Sequence, residues 1–151
     1  MNIIFVCTGN TCRSPMAEAL FKSIAEKKGL DVTVRSAGVF ASPNGKASPY
    51  AIEALFEKHI ALNHVSSQLT EADVEAADLI LTMTNQHKQL IINQFGSHSD
   101  KVFTIKEYAA GVDEDVTDPF GGTLEVYRRS RDELEDLLNL LAEQLQKNKD
   151  R

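Results

Sequence analysis

The chain has 151 residues, of which 42% are hydrophobic and 25% charged, and its formal net charge is −6. This is the size of one ordinary domain, 1–151, with enough apolar residues to fold without a disulfide or metal staple. The acidic balance excludes a general nucleic-acid surface, and no segment is apolar for long enough to span a membrane or act as a signal peptide; the expected setting is the cytoplasm, with its two cysteines reduced.

Residues 2–6 (NIIFV) predict a buried strand. Ser14-Pro15 then predicts a helix start, with Ser14 as cap and Pro15 at the first helical position. Its apolar stripe is Ala17, Leu20, Phe21 and Ile24, and Gly29 stops it. Val32 and Val34 alternate in a second strand over 31–38. Ser48-Pro49 repeats the capping signal ahead of Ile52, Leu55 and Phe56. Thr70–Asp73 resembles a capping box before a short helix. Residues 78–83 (DLILTM) predict the third strand. Thr84 caps the next helix, which ends at Gly96 with Leu90, Ile91 and Phe95 as its core side. Residues 101–105 (KVFTI) predict the fourth strand. After an irregular stretch, the last helix carries Leu134, Leu137, Leu138, Leu141 and Leu145 on one face. Strands alternating with helices predict an α/β domain, a parallel sheet with helices on both faces. Ligands bind such sheets at the carboxyl ends of the strands, where residues 7–14 (CTGNTCRS) leave the first strand.

Four readings of that loop compete. Zinc would need four converging ligands; Cys7 and Cys12 with His59 and His64 are widely spaced for it, and Arg13 repels a cation. A nucleotide P-loop lacks its Gly-Lys-Ser/Thr ending. A plain turn with two small buried cysteines has no need of Asn10 and Arg13. The fourth reading, Cys-x5-Arg-Ser, gives each residue a task. Five residues suffice to wrap a loop around one tetrahedral oxyanion, with backbone N–H groups and the next helix's N-terminus turned inward. Gly9 is expected to take a backbone conformation closed to side chains. Arg13 grips two phosphate oxygens. The same positive field favours the thiolate of Cys7, and Ser14 donates a hydrogen bond to it.

A thiolate that takes a phosphoryl group needs a partner to protonate the leaving group. Residues 113–118 offer Asp113, Glu114, Asp115 and Asp118. Only Asp118 is followed by proline and then Phe-Gly-Gly, a segment able to fold over a pocket at the sheet edge that holds Cys7. An ordinary Asp-Pro turn is the alternative.

The stretches VCTGNTCRSPMAEAL (6–20), SAG (36–38) and DPF (118–120) resemble the low-molecular-weight protein tyrosine phosphatase family over essentially the whole chain. The resemblance implies a single-domain three-layer sandwich: a four-stranded parallel sheet, order 2-1-3-4, flanked by helices. It implies metal-free, cofactor-free dephosphorylation in two steps. Cys7 would form a phosphocysteine, Arg13 and the amides of residues 8–13 would hold the phosphoryl group, and Asp118 would act as general acid and then base. Thr8, Gly9, Asn10, Thr11, Cys12 and Ser14 complete the implied phosphate site, with Asn10 bracing it. Cys12 would form a reversible disulfide with Cys7 under oxidation. His64, in residues 64–70, matches a family histidine behind the loop, although the arginines that often follow it are replaced by Val65, Ser66 and Ser67; bracing and simple surface solvation remain alternatives for it. His59, His87 and His98 read as surface residues.

Thr11 stands where the family's tyrosine phosphatases usually carry a bulky aliphatic residue, and Phe120 where they carry tyrosine. With residues 36–47, these features resemble the bacterial protein-arginine phosphatases. A threonine narrows the apolar wall suited to a phenyl ring and offers an acceptor to a guanidinium. Phe40 and Phe120 can stack on its planar face, and Asp118 can pair with it through two hydrogen bonds. The resemblance further implies phosphoarginine proteins as substrates, an opposing protein-arginine kinase and a part in stress response; a monomer is expected because the assigned helix cores leave no apolar stripe over. The alternatives are a tyrosine phosphatase of the same family, an arsenate reductase, which would need cysteines beyond Cys12, and a cysteine phosphoryl carrier, which would not need Asp118.

Overall fold

The computed structural model describes residues 1–42 and 44–149. Pro43, within the 36–47 segment, and residues 150–151 of the expected domain lie outside the described residues. Four strands form one parallel sheet: β1 (Asn2–Cys7), β2 (Thr33–Gly38), β3 (Leu79–Thr82) and β4 (Val102–Thr104), in the spatial order β2-β1-β3-β4. Among the described residues, six α-helices surround it: α1 (Arg13–Lys28), α2 (Pro49–Phe56), α3 (Glu71–Ala76), α4 (Asn85–Gln94), α5 (Ile105–Ala110) and α6 (Leu124–Lys149).

β1 lies between two neighbours and under helices on both faces, so Ile3 to Cys7 are all buried and its sequence shows no alternation. Ile3, Phe5 and Cys7 join α1, α2 and α6 in one apolar core, whereas Ile4 and Val6 join Val74 of α3 and Ile91 of α4 in the other. These are the three layers expected. The leucine stripe of α6 is buried throughout, with Leu134, Leu138 and Leu141 at 0% exposure; each such side chain contributes roughly 2 kcal/mol of transfer free energy. Gly29 ends α1 in a left-handed conformation, φ 66°, and Thr70 and Asp73 form the expected capping box.

Other expectations are corrected. α1 begins at Arg13, with Cys12 at the cap position and no side-chain cap, because the Ser14 hydroxyl is engaged by the loop rather than by the helix end. Ser48 does stand before Pro49, but its hydroxyl donates to Tyr127 instead of capping α2. α2 buries Ala51, Ala54 and Leu55, while Ile52 and Phe56 are exposed. A close approach to α6 favours the small residues: Arg131 of α6 donates to the Ala54 carbonyl. On α4 only Ile91 of the expected apolar trio is buried, Leu90 and Phe95 being half-covered, and Gly96 opens a 3-10 run, Gly96–Lys101, rather than closing the helix. The stretch between β4 and α6 is irregular over 111–123, as expected, but it opens with α5, which Thr104 caps by accepting from the Glu107 amide. Arg128 and Arg131 hold the Glu57 carboxyl well below its ordinary range, at about 2, and tie the end of α2 to α6.

Candidate active site

All four strands point their carboxyl ends to one edge, and the loop from Thr8 to Cys12 leaves β1 there. Cys7 pairs in register with Gly38 of β2. A Cβ on Gly38 would stand 2.5 Å from the Thr8 carbonyl oxygen and 3.0 Å from the Asn10 nitrogen, so only glycine lets β2 lie against the loop. The residue of the loop in the left-handed region is Asn10, φ 57°, and not Gly9 as expected. Asparagine tolerates that region, and here its side chain is held on every side.

Asn10 is fully buried. Its Nδ2 donates to Ser14 Oγ at 2.8 Å and Ser36 Oγ at 3.0 Å, and its Oδ1 accepts from the Ser67 amide at 3.0 Å. Its carbonyl oxygen accepts from Ser66 Oγ and from His64 Nε2, each at 2.8 Å. A carbonyl only accepts, so His64 Nε2 carries the proton, and of its two alternatives bracing is the one observed. The serines that replace the usual arginines, Ser66 and Ser67, take part in the same brace.

Cys7 is buried, and its Sγ lies 2.8 Å from Ser14 Oγ. Arg13 is also buried; its guanidinium donates to the Val116 carbonyl at 3.1 Å and lies 3.6 Å from Asp118 Oδ2. The Asp118 side chain is half exposed, and its Oδ1 accepts from the Phe120 amide at 3.0 Å. Pro119 to Gly122 close a turn, with Gly122 donating to the Pro119 carbonyl and Gly121 at φ 80°, the conformation that turn demands of its third residue. The outcome is an open cleft of about 230 Å³ lined by Cys7, Thr8, Gly9, Thr11, Cys12, Arg13, Asp118 and Phe120. Phe40 follows β2 at the same edge, its amide donating to the Thr8 carbonyl, and both Phe40 and Phe120 are strongly exposed. Of the sequence-predicted residues, Cys7, Thr8, Gly9, Thr11, Cys12, Arg13, Asp118 and Phe120 thus come together in the cleft, Asn10 and Ser14 join it through the hydrogen bonds to Cys7 Sγ and to each other, and Phe40 lies outside its lining. Among the described residues, no group of three or more histidine, cysteine, aspartate or glutamate side chains could hold a metal.

Two side chains at the site were not anticipated. Tyr127 is buried behind the loop, its hydroxyl 3.4 Å from Cys12 Sγ and accepting from Ser48 Oγ at 3.0 Å. Burial first, and then the Cys12 contact, push its phenol up to about 12, so it stays a neutral donor. It lies seven residues before Leu134, on the same helical stripe, and that spacing is the signal that could have found it. His87, expected at the surface, is buried at 4% exposure, with Nε2 2.8 Å from Thr8 Oγ1. It stands in the first turn of the Thr84-capped α4, which starts at the strand edge that carries the site.

Burial, and next the Arg13 guanidinium, lower His87 from its ordinary 6.5 to about 4, against the opposing pull of Asp115 and Asp118. The unfolded chain therefore takes up the proton first as pH falls. The stability that neutral His87 contributes is full above pH 6.5, declines between 6.5 and 4, and is gone below. His87→Gln removes this titration, so the wild type should lose stability relative to the variant across that window. Denaturant unfolding of both proteins over the window checks it, and parallel curves would contradict the assignment.

Residues 2–151 match the family described as low molecular weight phosphotyrosine protein phosphatase. The chain is 71% identical over 149 residues to a protein-arginine-phosphatase of Bacillus subtilis, with 99% of each chain covered. It is 51% identical over 144 residues to one of Geobacillus stearothermophilus, with 95% of each covered. A low molecular weight protein-tyrosine-phosphatase, PtpB of Staphylococcus aureus, is 44% identical over 138 residues, covering 91% of this chain and 94% of its own. Among solved structures, a YwlE arginine phosphatase C7S mutant with a phosphorylated active-site serine superposes with a TM-score of 0.96 at 71% identity, covering 97% of each chain.

Proposed function

The chain belongs to the low molecular weight phosphotyrosine protein phosphatase family, and we propose that within it this protein is a protein-arginine phosphatase, which hydrolyses the phosphorus–nitrogen bond of phosphoarginine in proteins. The observation that carries the arginine reading is the cleft wall, where Thr11 lines the same space as Asp118 and Phe120. The identity to relatives named for arginine, 71% and 51%, against 44% for one named for tyrosine, supports it.

In this reading the phosphoryl group enters the loop between Cys7 and Arg13, held by the loop amides and by the arginine fork. Thr8, Gly9, Asn10, Thr11, Cys12 and Ser14 shape the cradle. Ser14 Oγ, already 2.8 Å from Cys7 Sγ, donates to the thiolate. The sulfur attacks phosphorus, the P–N bond breaks, and Asp118 gives its proton to the departing guanidine nitrogen. Asp118, now a carboxylate, takes a proton from water, whose oxygen attacks phosphocysteine; inorganic phosphate leaves and the thiolate returns. Neither step calls for a metal or cofactor. Phe40 and Phe120, both exposed, are the aromatic rings that would stack on the guanidinium. The Arg13–Asp118 contact of 3.6 Å gives way when the arginine turns to phosphate.

A peroxide oxidises the Cys7 thiolate to a sulfenic acid, Cys12 displaces water from it to form a disulfide, and an external thiol later reduces the bond; both cysteines are free and buried at the loop's two ends. A kinase that phosphorylates the same arginines is the opposing partner. The expected ground for a monomer does not hold, because Ile52 and Phe56 leave apolar surface exposed on α2. Among the described residues, no helix is long and apolar enough to cross a membrane; a cytoplasmic setting is part of the same proposal. With 2 cysteines in the chain, both in this loop, there is no cysteine relay for arsenate reduction.

The test of the specificity argument is Thr11→Ile. It restores the bulky aliphatic wall that the tyrosine phosphatases of the family usually carry, and should shift the ratio of kcat/KM values from phosphoarginine toward phosphotyrosine peptide by about tenfold or more, the scale of a pocket contact that changes from polar to apolar. An unchanged ratio removes Thr11 from the account and favours a tyrosine phosphatase.

A further inference from the structure

His87 is the buried histidine among the described residues, and the turnover scheme above gives it no task. Its surroundings do. The second half of the phosphate loop is held at Asn10 by five side-chain contacts. The first half is Thr8 and Gly9. Glycine has no side chain, and among the described residues the Thr8 hydroxyl makes one hydrogen bond, to His87 Nε2 at 2.8 Å.

The segment that carries His87 also holds the acid loop. The Met83 carbonyl accepts from the Val116 amide at 2.9 Å, and the Asn85 amide donates to Asp115 Oδ1 at 2.8 Å. Arg13 closes the ring from the other side through the Val116 carbonyl. Residues 83–87 thus touch both the loop that begins at Cys7 and the loop that ends at Asp118.

A packing role does not account for the residue. His87 Nδ1 is buried with no partner in the protein, a cost of about 1–3 kcal/mol for such a group that leucine or phenylalanine would avoid. What the imidazole supplies and an apolar ring cannot is the bond to Thr8. Burial beside Arg13 keeps it neutral above about pH 4, so it adds no second cation to compete for the phosphate.

We propose that His87 is a positioning residue that acts through the Thr8 hydroxyl to fix the first half of the phosphate loop against the acid loop. The inference rests on the reading that residues 7–14 hold the transferring phosphoryl group. Phosphate contacts from the Thr8 and Gly9 amides need that half of the loop in place, and a hydroxyl pinned from behind puts it there before substrate arrives.

The experiment is a double-mutant cycle read by kcat and KM on phosphoarginine and on an aryl phosphate, with affinity for inorganic phosphate and thermal melts alongside. His87→Leu should lower kcat/KM by about tenfold, the scale of one positioning hydrogen bond. His87→Gln, whose amide nitrogen can reach the same spot, should recover to within about twofold. Thr8→Val should cost about as much as His87→Leu, and the double variant no more than either alone. Additive losses, about a hundredfold in the double variant, overturn the proposal, as does a glutamine variant as impaired as leucine. Should His87→Leu fail to fold, Thr8→Val at its exposed position carries the prediction alone, and unchanged turnover there overturns it. Wild-type failure on phosphoarginine would sink the substrate assignment instead, leaving the variant ratios on aryl phosphate to decide the role of His87.

Discussion

Cys7→Ser is expected to abolish turnover, by about 10⁵-fold or more, while the fold and phosphate binding persist. The effect is large because the other thiol that lines the cleft, Cys12, is engaged elsewhere, with its sulfur 3.4 Å from the Tyr127 hydroxyl behind the loop. Ser14 Oγ is beside Cys7, but it stands in the first turn of α1 and already accepts from Asn10. A serine hydroxyl in place of the sulfur holds its proton far more tightly than a thiol does, and the positive field that stabilises a thiolate does not suffice to make an alkoxide. The cradle itself is untouched: Arg13 remains fixed to the Val116 carbonyl, and Asn10 remains fixed by its network. Calorimetric titration with inorganic phosphate should therefore give an affinity near that of the wild type, with an unchanged melting temperature. Residual steady turnover within tenfold of wild type would mean that the nucleophile lies elsewhere.

Asp118→Asn is the second large effect. The amide keeps an oxygen for the Phe120 N–H and the shape of the turn, so the loss isolates the proton. General acid catalysis contributes about 10²–10⁴-fold, and the upper end applies when the leaving group cannot depart as an anion. A guanidine is such a group, whereas a phenolate, the conjugate base of an acid with a pKa of about 10, can leave unassisted at a modest penalty. The variant should thus lose about 10³–10⁴-fold on phosphoarginine and distinctly less on an aryl phosphate with a good leaving group. Burst kinetics with the aryl phosphate separate the two half-reactions: phosphocysteine should accumulate, because the same residue also activates the water. Equal losses on both substrates would show that Asp118 serves binding rather than proton transfer.

Much of this site is legible in the chain because its parts lie close together in sequence. Cys7 ends a strand, Thr8 to Cys12 form one short loop, and Arg13 and Ser14 open the helix after it, so strand and helix fix where the loop's ends must be. The strands are legible for a related reason: β1 and β3 are buried on both faces and carry unbroken apolar runs, Ile3 to Cys7 and Leu79 to Leu81. The stripe of α6 is long enough to repeat its own period. What the sequence does not display is the competition for polar groups. Ser14 looks like a helix cap until Asn10 and Cys7 are seen to claim its hydroxyl. Ser48 likewise looks like a cap until Tyr127 takes it. His87 looks solvated because a histidine in a polar run gives no sign of its burial; the partner that draws it in, Thr8, is 79 residues away. Ile52 and Phe56 have helical spacing but the wrong face, since α2 turns Ala51, Ala54 and Leu55 inward and leaves Ile52 and Phe56 outside. α5 is short, and at 6 residues too little of a period exists to be read.

The phosphate end of the cleft and its specificity end are physically separate problems. In the proposed reading Cys7, Arg13 and the loop amides recognise a phosphoryl group whatever carries it; Cys7 and Arg13 are buried, and Arg13 is fixed to the Val116 carbonyl. In the same reading Thr11, Phe40 and Phe120 meet the rest of the substrate side chain; both phenylalanines are exposed, and Thr11 and Phe120 line the cleft. A phenyl ring gains from apolar contact on its edges, which a threonine hydroxyl diminishes. A guanidinium gains from stacking above and below and from acceptors in its plane, which Thr11 and Asp118 supply.

The most direct measurement is wild-type turnover on two peptides identical except at one residue, phosphoarginine in one and phosphotyrosine in the other, followed by release of inorganic phosphate. The kcat/KM for phosphoarginine should exceed that for phosphotyrosine by about tenfold or more. A preference for phosphotyrosine would contradict the account.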